Sequence, residues 1–334
     1  MPQSPFAAAG IMSSFATRTQ DHVFATFSHH AALATPLFLL VLVGYALMRF
    51  GKWPSEVADA LTRFVFTVAM PALLFNLMSD FSKLPPVDAR LLIAFFGGCL
   101  ITFAIARLIA WKCFGLDGVG QSVFALGGIF SNNVLLGIPL AKLTLGDDSL
   151  PAAALVIAFN ALTLWTMVTI SVEWARHGAF SAKGFGKTAL NVLKNPLVSA
   201  ILLGVAFGMT GLTLPHLIKE PLNLISTSTM PLALVALGMG LAEYGIKQGW
   251  QISAGITVVK LVIQPLTVWG IAVLIGLPSL ETRTVVLLAS ISTGINVYLM
   301  SRQFKSIEGP VASALVLTTV VAALTVPLLL TLTE

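Results

Sequence analysis

The residues of this chain that could do chemistry are few, and most lie outside its apolar stretches. All fourteen acidic residues fall in tails, loops or the ends of apolar segments, and so do the five histidines, His22, His29, His30, His177 and His216. Cys99 and Cys113 flank the end of one apolar stretch, a spacing that suggests neither a disulfide framework nor a metal cluster. Ser131 sits in an apolar segment with no His or Asp to activate it. No nucleophile–base pair and no ligand set can be assembled there, which argues against a membrane-embedded enzyme and predicts no catalytic residue, metal or cofactor.

One charged side chain does lie deep in an apolar segment. Lys260 comes about ten residues into the stretch 250–275, so at ~1.5 Å per residue it sits ~15 Å from its start. An ionisable residue at that depth is a functional candidate. Gln264 lies one turn on, and Pro265 follows and frees a carbonyl. Lys260 either attracts an anion into a cavity or caps the carbonyls of a broken helix; both readings stand.

The remaining polar chemistry is that of amides and hydroxyls. The segment GVGQSVFALGGIFSNNVLLGIPLAKLTLG carries Gly127, Gly128, Ser131, Asn132, Asn133, Gly137 and Pro139 in its middle. A later segment, ETRTVVLLASISTGINVYLMSRQF, carries Ser290, Ser292, Thr293, Gly294 and Asn296. Such compositions break a helix, and a break survives in lipid only where protein or a wet cavity covers its backbone. The new half-helix then offers free N–H groups and a positive dipole end, which can hold a carboxylate. Asn132, Asn133 and Asn296 add donors and acceptors. Close helix packing by Gly and Ser, with asparagines bonded across helices, is the plainer alternative. Asn160 is a further candidate ligand, while Ser226 to Thr229 before Pro231 read as a kink.

The elements that must position these residues follow from composition. The chain has 334 residues, 57% hydrophobic and only 10% charged, against about 25% charged in soluble domains. A soluble fold of this size could not bury that much apolar surface, so a bilayer must be the solvent. Ten spans of helical length are predicted: 31–49, 58–78, 89–111, 119–145, 151–171, 196–213, 221–242, 250–275, 281–303 and 309–331. Long unbroken apolar runs exclude a β-barrel. No basic face with interleaved aromatics points to nucleic acid. Alternate loops differ about twofold in Lys and Arg, and the richer set, including 172–195, is expected in the cytoplasm. Both termini then face outside. Residues 1–30 lack a cationic leader region and read as an N-terminal tail.

A shift of 160 residues lays one half of the chain on the other. Pro36, Gly44 and Gly51 fall on Pro196, Gly204 and Gly211, and Met70-Pro71 falls on Met230-Pro231; Asn133 pairs with Asn296 at a shift of 163. Each half, 31–171 and 196–331, holds five spans. An odd number inverts the second half, which gives a five-plus-five inverted repeat. The two polar breaks then occupy its fourth and ninth helices, the usual site of a secondary transporter.

The segment SNNVLLGIPLAKLTLGDDSLPAAALVIAFNALTLW resembles the bacterial branch of the auxin efflux carrier family, as do NPLVSAILLGVAFGMTGLTLP, MPLALVALGMGLA and STGINVYLM. The resemblance runs over nearly all of residues 31–331. It implies ten helices with broken, crossing helices four and nine, and transport of organic anions: auxin in plants, malonate or malate-like dicarboxylates in bacteria. It implies rocking or elevator motion against a scaffold of spans one, two, six and seven, which pairs plant members into a homodimer. By position, Asn133 and Asn296 match the asparagines of the crossing and Pro139 the proline of span four. Relatives often carry a proline at span nine where this chain has Ser-Thr-Gly-Ile.

The expectation is therefore an inner-membrane carrier for a small organic anion. Its site residues would be Asn132, Asn133, Gly137, Pro139, Asn160, Lys260, Gln264, Thr293, Gly294 and Asn296. A sodium-coupled symporter of the bile-acid type and an anion channel are the rival readings.

Overall fold

The computed structural model describes residues 5–80, 87–177, 196–244 and 249–333. Most of the expected basic loop 172–195, from residue 178 on, lies outside these. The described residues are helical, with no strand among them. In chain order the helices are α1 (Pro5–Arg49), α2 (Ser55–Ser79), α3 (Arg90–Phe114), α4 (Gly118–Ile129), α5 (Asn133–Leu145) and α6 (Leu150–His177). The second series is α7 (Pro196–Met209), α8 (His216–Tyr244), α9 (Trp250–Leu274), α10 (Ser279–Ser290), α11 (Asn296–Phe304) and α12 (Glu308–Leu332). Residues 5–30, expected in a tail, continue α1 as helix.

Seven of these helices are long and apolar enough to cross a membrane, and the protein is a multi-pass membrane protein. The other five are shorter. Four of them are halves: α4 and α5 flank one break, α10 and α11 the other.

Local sequence explains several of the element ends. Gly115 takes a left-handed conformation and closes α3, and the Asp117 carboxylate accepts the Gly120 N–H (2.8 Å) to cap α4. Three helices contain one wide turn each, at Val65–Ala69, Asn133–Gly137 and Val259–Ile263. Each precedes a proline by two residues: Pro71, Pro139 and Pro265. A proline ring clashes with the carbonyl four residues back and cannot bond it, so that turn opens rather than the helix ending.

α1 packs on α8, α2 on α7, and α3 on α9. The first contact is backbone to backbone. A Cβ at Gly44 would overlap the Val235 carbonyl, and one at Gly238 the Val41 carbonyl. Small residues at such crossings are how helices associate where lipid removes the hydrophobic drive. Two apolar clusters fill the interior. One centres on α3, α4, α9 and α10, and the other on α1, α2, α5, α7 and α8.

Candidate functional site

The two breaks meet. α4 ends at Ile129 and the chain turns extended at Phe130; α10 ends at Ser290 and turns extended at Ile291. The two short extended stretches then cross antiparallel at Ser131 and Thr293. The Asn132 N–H donates to the Ser292 carbonyl (2.9 Å) and the Gly294 N–H to the Phe130 carbonyl (2.8 Å). The Thr293 hydroxyl donates to the Gly127 carbonyl (2.9 Å), and the Thr293 N–H to the Thr318 hydroxyl on α12 (3.0 Å). Backbone groups freed by breaking the helices therefore find protein partners, as burial demands. Gly294 fits closely at this point: a Cβ there would stand 3.0 Å from the Phe130 ring and 3.1 Å from the Ser131 carbonyl.

Lys260 and Gln264 hold the ends of the first halves. Both are fully buried, one turn apart on α9. The Lys260 amine bonds the Ala289 carbonyl near the end of α10 (2.6 Å), the Gln264 Oε1 (2.6 Å) and the Ser131 hydroxyl (2.8 Å). Gln264 in turn donates to the Ile129 carbonyl at the end of α4 (2.8 Å). One amine and one amide thus cap two helix C-termini, whose dipoles favour a positive neighbour.

On the other side of the crossing lies a cavity of about 160 Å³. Asn132, Asn133, Asn160, Gly294 and Asn296 line it, together with Ser131 and the apolar Phe66, Ile157, Leu197 and Val198. Its volume falls below the roughly 300–1,000 Å³ of drug-sized pockets, which favours a small ligand. Both polar atoms of the Asn133 side chain are buried without a hydrogen-bond partner, as are Asn132 Nδ2 and Asn160 Oδ1. Each such orphan costs about 1–3 kcal/mol, so a cluster of them singles this cavity out as the candidate site.

The profile of a membrane transport protein family matches residues 32–330. The chain belongs to this family, that of the auxin efflux carriers. Members and relatives are transporters and not enzymes. An uncharacterized transporter of Methanocaldococcus jannaschii is 28% identical over 310 residues, covering 87% of this chain and 95% of that protein. A candidate malonate transporter of Rhizobium meliloti is 25% identical over 300 residues, covering 88% and 92%. An uncharacterized transporter of Methanothermobacter thermautotrophicus is 24% identical over 295 residues, covering 87% and 94%.

In this auxin efflux carrier relative, five of the ten residues named from sequence surround the cavity: Asn132, Asn133, Asn160, Gly294 and Asn296. The other five do not line it. Thr293 is bound into the crossing, and Lys260 and Gln264 lie behind it. Gly137 packs on Leu288, where a Cβ would come within 2.8 Å. Pro139 follows the wide turn in α5. Ser131, Phe66, Leu197 and Val198 were not singled out as site residues. Ser131 had a signal, its place beside Asn132 in the break; the other three come from α2 and α7 and had none.

Proposed function

We propose that this protein is a secondary carrier that moves a small organic anion of the malonate or malate class across the cell membrane. One observation carries the reading: two broken helices cross at a small cavity whose buried asparagines have unpartnered polar atoms. Amide side chains donate and accept, so Asn132, Asn133, Asn160 and Asn296 suit a carboxylate without a fixed cation in the cavity wall. α5 and α11 both begin at this wall, and helix N-termini favour anions. Lys260, when protonated, adds positive potential from behind the crossing. Gly137, Pro139, Gln264, Thr293 and Gly294 shape the breaks. The substrate class rests on the family resemblance and on the Rhizobium relative's name.

In this reading each broken pair makes one pass and α7 another, so the chain crosses ten times. Reciprocal contacts support an inverted repeat. Gly44 touches the Val235 carbonyl, and 160 residues away from each partner Gly204 touches the Phe75 carbonyl. The Thr229 hydroxyl donates to the Ala69 carbonyl, a pair that the same shift maps onto itself. A two-fold axis in the membrane plane produces such pairs. Residues 31–171 and 196–331 are then the repeats, joined by the cytoplasmic 172–195 and preceded by 1–30, with both termini outside. α3 to α6 and α9 to α12 rock or ride against α1, α2, α7 and α8, and those four helices pair in a homodimer.

Uptake of radiolabelled malonate by proteoliposomes tests the site. Asn133→Ala and Asn296→Ala should each lower uptake at least about tenfold while melting stays near wild type, since a hydrogen bond to a charged group contributes about 1.5–3 kcal/mol. Undiminished uptake in both variants sinks the assignment. Uptake that requires a sodium gradient replaces it with the bile-acid type of symport.

A further inference from the structure

The Lys260 amine is placed so that its three contacts suit either protonation state. Two of its partners, the Ala289 carbonyl and Gln264 Oε1, only accept hydrogen bonds. The orientation of the Gln264 amide is set by its other end, which must donate to the Ile129 carbonyl. A neutral amine has two protons and one lone pair; an ammonium has three protons. Two protons are committed to the acceptors in both states. The third contact is the Ser131 hydroxyl, which both donates and accepts. With a neutral lysine, Ser131 donates its proton to the amine. With an ammonium, Ser131 accepts, and its own proton is released to point elsewhere. Ser131 lines the cavity.

We infer that Lys260 is the proton site of an anion–proton symporter, and that Ser131 reports its charge to the cavity by turning its hydroxyl proton toward the bound anion. This rests on the anion-carrier reading above. In the empty site the amine is neutral and Ser131 donates to it. A proton from the same aqueous side as the anion adds to the amine lone pair. The Ser131 hydroxyl then turns and donates to the arriving anion, so one positive charge enters with the anion and offsets part of its negative charge. On the far side the anion leaves, the ammonium returns its proton to water, and Ser131 turns back.

The surroundings supply no competing counter-charge. Cys99 on α3 is in contact with Gln264, the amine's neighbour on α9. The other ionisable groups of α3 are Arg90, Arg107, Lys112 and Cys113, all toward its ends. α4 carries none. α10 carries Glu281 and Arg283 in its opening turns, two turns from Ala289, and α12 carries Glu308 in its first turn. Among the described residues no ion pair involves Lys260. An ammonium held in a dry interior without a carboxylate is costly, and a bound anion is the partner that relieves it.

The test uses wild-type protein in proteoliposomes loaded with a pH-sensitive dye, with radiolabelled malonate added outside and sodium absent. One proton should enter per malonate beyond any carried by the substrate, and apparent affinity should weaken by up to about tenfold per unit rise in external pH. Lys260→Gln should retain measurable malonate binding but lose that extra proton and the steep pH dependence. Ser131→Ala should keep the fold and weaken binding most at acid pH, where its donor is lost. If Lys260→Gln cannot be purified, Lys260→Arg, which is permanently charged, must lose the coupled proton instead. Malonate uptake with no extra proton overturns the inference alone. Coupling that persists in the Lys260 variant places the proton on the substrate and also overturns it. Absence of malonate transport overturns the substrate reading, and this inference with it.

Discussion

The two helix breaks meet at one crossing, yet they are built differently. The first is short, Phe130 to Asn132, and is followed at once by the wide turn Asn133–Gly137 and by Pro139. Its asparagines line the cavity and carry buried polar atoms without hydrogen-bond partners. The second is longer, Ile291 to Ile295, has no proline, and is tied down by the Thr293 bonds to Gly127 and Thr318. Their carbonyl ends also differ in what caps them. A neutral amide, Gln264, holds Ile129, while the amine of Lys260 holds Ala289. Both breaks reach the cavity, through Asn132 and Asn133 on one side and Gly294 and Asn296 on the other, but the hydrogen bonds of Thr293 anchor only the second.

The sharpest way to break this comparison is to remove the cap of the second break. Lys260→Met fills much of the space but leaves the Ala289 carbonyl and Gln264 Oε1 buried without partners. The expected loss is about 2–6 kcal/mol, at about 1–3 kcal/mol per stranded group. Thermal melting in micelles of fixed composition measures it. A loss under about 1 kcal/mol would mean that the lysine does not hold the second break.

Gln264→Leu makes the corresponding change at the first break. It strands the Ile129 carbonyl and removes one of the amine's three hydrogen-bond partners, at an expected cost of about 1–3 kcal/mol. Malonate uptake should fall more steeply than stability, because α4 leads directly into Ser131 and Asn132. Equal effects on both readouts would show that the two breaks are not specialised.

Much of this architecture is visible in residue types. Gly, Ser, Asn and Pro in the middle of two apolar segments announce the breaks, since no continuous helix in lipid tolerates them without cover. Lys260 announces a buried partner, but not which one; the sequence left capping and anion attraction open. Capping could not be read because Ser131 and Ala289 lie 129 and 29 residues away from Lys260, and only the folded crossing brings them within reach. The expected spans 119–145 and 281–303 each appear as two half-helices, because hydropathy averages across a break that backbone geometry does not. The cavity walls from α2 and α7 were invisible for the same reason as any apolar lining: Phe66, Leu197 and Val198 look like every other membrane residue around them.

The smallest expected effect gives the finest test of the division between the breaks. Thr293 was expected among the ligands, yet its hydroxyl donates to Gly127 and it is absent from the cavity wall. Thr293→Val keeps the shape and removes one buried hydrogen bond, for a cost of about 1 kcal/mol. Melting should therefore fall only slightly, and malonate uptake should stay within about twofold of wild type, because the anchor weakens while the ligand groups of the first break are untouched. A large loss of uptake at near-normal stability would move Thr293 into the binding site beside Asn296, and its anchoring role would fall.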